Sequence, residues 1–130
     1  MEPQIRAGEH VVNEATMLAF WRARLDEDER AARRAGDTFR QIGETGVIVA
    51  TEGDRAEECA SANWAGIAEH IVRHDPARVL HGVEAARKRL TTLSDAIEAG
   101  HDSYDLASTL LPYELLPYTD HPDYNESWRP

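Results

Sequence analysis

The dipeptide Asp75-Pro76 constrains the folding of this chain more than any other pair of residues in it. Proline discourages right-handed helical geometry at the residue before it, so a helix arriving here must stop near His74. Proline is also at home in the first turn of a new helix, where its missing N–H would have had no partner. An aspartate just ahead can accept from the free amides of that turn. One dipeptide thus ends one helix and starts the next. Downstream, Val79, Val83, Ala86, Leu90, Leu93 and Ile97 alternate by four and three, a seam suited to a helical neighbour. Gly100 closes this helix, predicted over 76–99. Upstream, Ala60, Trp64, Ile67, Ala68 and Ile71 form the inward stripe of a helix predicted from a cap at Asp54 to Arg73.

A third amphipathic run lies nearer the start. Steps of 100° bring Met17, Leu18, Trp21, Leu25, Ala32 and Ala35 into one stripe, which predicts a helix over 14–34 with Asn13 as cap and Gly36-Asp37 as stop. Residues 1–13 lack period and are expected to form an arm. Between Thr38 and Thr51 two short β-prone runs flank Gly43-Glu44-Thr45-Gly46, the composition of a hairpin over 38–51. Two strands alone are marginal, so the hairpin must lean on a helix. A short fourth helix is predicted over 105–111, ended by Pro112, followed by an extended, ordered tail packed by Tyr118, Tyr124 and Trp128. The expected fold is α+β and mainly α, in a single domain over 14–130: three main helices packed together, a small two-stranded hairpin and an aromatic C-terminal tail.

Composition bounds the function. The 130 residues carry 24 Asp+Glu against 14 Lys+Arg, a formal charge of −10, and one cysteine, Cys59. A chain of this length needs no disulfide or metal staple to bury a core. The lone cysteine excludes an intramolecular disulfide framework and fits a reducing compartment. The negative balance argues against nucleic acid or an anionic membrane as partner, because phosphate recognition needs a basic face. Nothing resembles a signal peptide, and no run approaches the ~20 apolar residues of a membrane span. A cytoplasmic protein is the expectation.

Few residues point to chemistry. Asp26-Glu27-Asp28-Glu29 lacks the glycine and the twelfth-position glutamate of a calcium loop, and Asp26–Arg30 and Glu29–Arg33 are spaced to pair along a solvated helix face. Asp28 is the exception: it falls inside the apolar stripe and is expected to be paired or to serve binding. His70 and His74, at i,i+4, can approach one metal ion. Cys59 is excluded as a further ligand, since eleven helical residues rise roughly 16 Å, which leaves His121 or Asp123. His74-Asp75 also spells the dipeptide of metal-dependent phosphohydrolases of the HD type, but Asp75 is better employed as a helix cap. Glu57 and Glu58 disfavour a reactive thiolate at Cys59, which reads as a structural residue. No phosphate loop, dinucleotide fingerprint, nucleophile elbow or Cys-x-x-Cys is present, and no cofactor is expected.

Three blocks carry a resemblance: Ala-Phe-Trp-Arg-Ala-Arg-Leu-Asp-Glu-Asp-Glu at 19–29, His-Ile-Val-Arg-His-Asp-Pro-Ala-Arg-Val-Leu at 70–80, and Pro-Tyr-Thr-Asp-His-Pro-Asp-Tyr-Asn-Glu-Ser-Trp-Arg-Pro at 117–130. Together they resemble a domain-of-unknown-function family of small proteins from streptomycetes, related actinobacteria and their phages. The chain departs from that pattern at Thr38-Phe39, where the family usually has Pro-Trp. The family's beginning lies close to Met17. The architecture also resembles that of Ead-like phage-accessory proteins. These likenesses imply an accessory protein and no reaction. The expected function is therefore a non-catalytic interaction or regulatory protein with an unknown protein partner, in which a homo-oligomer is credible. Its contact surface is expected near the His-Asp-Pro junction and the tail, with Asp28, Asp75, Tyr124 and Trp128 as binding residues. Two alternatives stand beside it, a metal-dependent hydrolase using the His/Asp cluster and an acidic mimic of nucleic acid.

Overall fold

A computed structural model describes the backbone of residues 7–130 and the side chains of residues 13–130. Among the described residues lie four α-helices, α1 (Ala7–Ala35), α2 (Ala65–Arg73), α3 (Pro76–Ala99) and α4 (His101–Leu115), and three strands, β1 (Thr38–Gln41), β2 (Val47–Glu52) and β3 (Arg55–Ser61). The chain divides into two compact units: Asp26–Ala85, and the remainder up to Leu25 and from Ala86 onward.

In the unit Asp26–Ala85 the strands form an antiparallel sheet in the order β1-β2-β3. Helix α2 lies against β1 and β2, which answers the need of a hairpin for a helical support. Ile48 of β2 and Ala68 of α2 are fully buried. The hairpin expected over 38–51 is present, with Thr38 opposite Thr51 and Gln41 opposite Ile48. The sheet is larger than the expected two strands, however. Arg55–Ser61 is β3 and not the first turns of α2, so Asp54 caps nothing and Ala60 belongs to a strand. The cause is Gly53, whose φ of +57° is the backbone a two-residue hairpin loop requires and most side chains resist. It turns β2 back on itself and sets Glu52 opposite Arg55. Pairing with β2 then overrides the helix propensity of Arg-Ala-Glu-Glu-Cys-Ala-Ser. Ile48 pairs with Ala60 and Val49 with Glu58, leaving Cys59 as the extra residue of a bulge. Cys59 is exposed there. Helix α2 begins only at Ala65, and Trp64 at its N-cap is 63% exposed.

The other unit contains the start of α1, the end of α3, α4 and the tail. Helix α1 begins at Ala7, so Asn13 is an interior residue rather than its cap. Of the arm expected over 1–13, residues 1–6 lie outside the described residues. The stripe residues Met17, Leu18, Trp21 and Leu25 are buried as the period demands. So is Phe20, which the single stripe omits, because the tail covers a second face of α1. The Phe20 ring meets Tyr118, His121, Tyr124 and Trp128 edge to face, with centroids 5.2–6.3 Å apart. The Arg24 guanidinium lies over the same ring at 4.8 Å. Trp128 Nε1 donates to Asn13 Oδ1 at 3.3 Å. The tail is packed by aromatics as expected, but its path is not simply extended, since short 3-10 turns form at Leu116–Tyr118 and Glu126–Trp128.

Helix α4 is longer at both ends than 105–111 and holds Pro112 in its interior. An interior proline costs about 3 kcal/mol. Leu111 and Leu115, both fully buried, flank it, and burying two leucines recovers a similar amount. Tyr104 of α4 donates to Glu14 Oε1 at 2.9 Å. Desolvation, reinforced by that hydrogen bond, raises the Tyr104 phenol above its ordinary value, so it remains a neutral donor. Phe20→Ala is expected to lower stability by about 3–5 kcal/mol in urea denaturation, since it removes the ring on which four aromatic side chains converge.

Candidate functional site

The Asp75-Pro76 junction builds the best-defined site. Asp75 Oδ1 accepts from the Arg78 amide at 2.9 Å, the cap bond expected of it, and Asp75 Oδ2 accepts from the Phe39 amide at 3.3 Å. The carboxylate therefore starts α3 and holds β1 at once. A second link runs beside it, from the Ala77 amide to the Asp37 carbonyl at 2.8 Å. Helix α2 stops where the proline requires: the His74 amide reaches back to the Ile71 carbonyl at 3.1 Å, and the Arg78 guanidinium donates to the Arg73 carbonyl at 3.1 Å. His74 leaves helical geometry there, with φ −112° and ψ 39°.

That geometry orients the His74 ring. Its Nδ1 lies 2.7 Å from the His70 carbonyl oxygen. A carbonyl only accepts, so Nδ1 carries a proton, and in the neutral ring Nε2 is the acceptor. The His70 ring lies alongside, with centroids 4.5 Å apart. His74 lines a cleft of about 290 Å³ within the unit Asp26–Ala85. Asp28 of α1, half-buried, is its other polar group. The remaining walls are apolar: Ala31, Ala32 and Ala35 of α1, Phe39 of β1, and Pro76 and Val79 of α3.

The other expected site residues are placed differently. His121 Nδ1 accepts from the Asp123 amide at 3.0 Å and lies 3.0 Å from the Arg24 guanidinium, so that nitrogen is engaged in fixing the tail. Asp123 contributes its backbone to this arrangement, and its side chain is exposed. Among the described residues no three His, Cys, Asp or Glu side chains gather closely enough to hold a metal ion. Tyr124 and Trp128 are buried at 9% and 6% exposure and so present little surface to a partner. Asp75 has both oxygens engaged by amides. Asp28 is the expected binding residue that lines a cleft.

One surface went unmarked by the sequence. On α4, Leu106, Leu110 and Tyr113 are 63%, 42% and 56% exposed, at spacings of four and three along one helical face. Leu110 and Tyr113 border an apolar groove of about 270 Å³ with Leu93 and Thr92 of α3. Arg89 and Glu114 flank it in a two-pronged ion pair at 2.8 and 3.1 Å. The expected stop at Pro112 hid this stripe, because it removed Tyr113 from the helix.

No helix among the described residues is long and apolar enough to cross a membrane. The model of one protein family, described as a family of unknown function (DUF6221), matches residues 14–130. No curated protein and no solved structure matches the chain. Asp75→Ala is expected to cost about 1–2 kcal/mol in urea denaturation, with Asp75→Asn intermediate, because the amide keeps one good acceptor for two backbone donors.

Proposed function

This chain belongs to the family of unknown function DUF6221, and we propose that it is a non-catalytic interaction protein that pairs with a second copy of itself through the α3–α4 face. The exposed stripe Leu106, Leu110 and Tyr113 carries this reading. Large apolar side chains aligned on one face of a water-exposed helix are the mark of a surface that is covered in use. The groove's flanks support a second copy as the cover. Arg89 and Glu114 stand together beside it, a balanced pair of charges that a two-fold axis can bring opposite its own complement on the other chain. A partner of strong single charge finds no such match. One helical stripe is at the small end of interface sizes, so the dimer is concentration-dependent.

The two alternatives draw less support. A metal-dependent hydrolase needs a ligand set that the described residues do not assemble. Mimicry of nucleic acid needs an unbroken negative field, whereas arginines pair with glutamates at Glu29–Arg33, Arg55–Glu57, Glu69–Arg73, Arg89–Glu114 and Glu126–Arg129.

Size-exclusion chromatography with light scattering tests the reading. The mass should climb with concentration from 14.6 kDa toward twice that value, and the double variant Leu110→Glu, Tyr113→Lys should stay at the lower mass throughout. A wild-type chain that remains monomeric at every concentration, or a folded double variant that dimerises as the wild type does, contradicts it.

A further inference from the structure

The cleft between α1, β1 and the start of α3 has a chemistry of its own, independent of the α3–α4 face. Its two polar groups are both acceptors. The Asp28 carboxylate accepts only, and the neutral His74 ring, whose Nδ1 proton is committed to the His70 carbonyl at 2.7 Å, has Nε2 as its remaining acceptor. Around them stand Ala32, Ala35, Phe39 and Val79. A ligand suited to such a cleft is apolar over most of its surface and carries donors, preferably cationic, at one end. We propose that the cleft is a binding site for a small arylalkyl ammonium compound. Its ammonium group meets Asp28 and His74 Nε2, and its ring packs against Phe39 and Val79. A carboxylate offers about four lone-pair positions, so Asp28 can take the ammonium beside the partner it already has within the chain.

The fit follows from size and sign. A volume of about 290 Å³ matches one aromatic ring with a short chain and lies at the small end of ligand sites. A carboxylate ligand of the same shape meets like charge at Asp28 and an acceptor lone pair at His74, which costs affinity twice. A neutral alcohol keeps the ring contacts and can donate one hydrogen bond, but it forgoes the charge-assisted one.

The test is an NMR titration of the ¹⁵N-labelled full chain with 2-phenylethylammonium, 2-phenylethanol and phenylacetate. The ammonium compound should shift the amides of Ala32, Ala35, Phe39 and Val79 and bind at least tenfold tighter than the alcohol, with phenylacetate weaker than both. Asp28→Asn should weaken the ammonium compound at least tenfold and leave the alcohol within twofold. Glu27→Gln, which removes a neighbouring charge outside the cleft, should change neither. Ala35→Leu fills the cleft without touching Asp28 and should abolish binding of both compounds. Circular dichroism confirms that each variant is folded. Equal affinity for the ammonium and the carboxylate compounds, ammonium binding unchanged in Asp28→Asn, or shifts confined to residues outside the cleft would overturn the proposal. So would the absence of any shift.

Discussion

The carboxylate of Asp75 accepts hydrogen bonds from two backbone amides that lie on different elements, Arg78 in the first turn of α3 and Phe39 in β1. Few side chains in the unit Asp26–Ala85 could do both, because the task needs two acceptor oxygens on a short stem beside a proline. Pro76 forces the turn that brings the carboxylate into place, and the same turn releases His74 from helical geometry so that its ring reaches the His70 carbonyl. The places of Phe39, His74 and Pro76 in the cleft thus descend from one local conflict, a helix that cannot continue and another that must begin, while α1 supplies Asp28 and the alanines. Capping bonds of this kind contribute about 1 kcal/mol each. Their larger consequence is positional, since they set Phe39 and His74 around one cavity.

The remaining unit is organised on a different principle. Phe20 gathers Tyr118, His121, Tyr124 and Trp128 by edge-to-face contact, and Arg24 covers its ring while holding His121. Aromatic pairs in this arrangement contribute beyond their buried area, so a tail with little regular structure becomes a fixed part of the unit. Aromatics that a sequence reading offers as contact residues are therefore consumed in packing. The apolar surface left over is on α4, where three large side chains face water.

What the sequence makes legible follows from whether a signal is local. Pro76, Gly36 and Gly100 mark helix ends through backbone chemistry that no distant contact can revise, and α3 runs over the residues that its seam and flanking signals define. The limits of α2 and α4 depend on non-local gains. The segment 55–61 has the composition of a helix and becomes a strand because Gly53 turns it onto β2. Gly53-Asp54 is a hairpin signal, but the alternation that would have strengthened it is missing from a strand whose residues are all exposed. Pro112 reads as a stop, and the burial of Leu111 and Leu115 outweighs it. Asp28 stood out because a carboxylate within an apolar stripe needs an explanation. His74 stood out by its spacing from His70, and that spacing brings its Nδ1 to the His70 carbonyl.

The cation selectivity proposed for the cleft depends on one proton, the one on His74 Nδ1, which leaves the neutral ring and Asp28 as side-chain acceptors. The ¹⁵N shifts of the His74 ring in a long-range ¹H–¹⁵N spectrum, recorded where the imidazole is neutral, locate it directly. The hydrogen bond to the His70 carbonyl predicts a protonated Nδ1 and a pyridine-type Nε2. A neutral ring with its proton on Nε2 would contradict this, because the cleft would then hold a donor as well as the Asp28 carboxylate and would no longer suit the cation proposed for it.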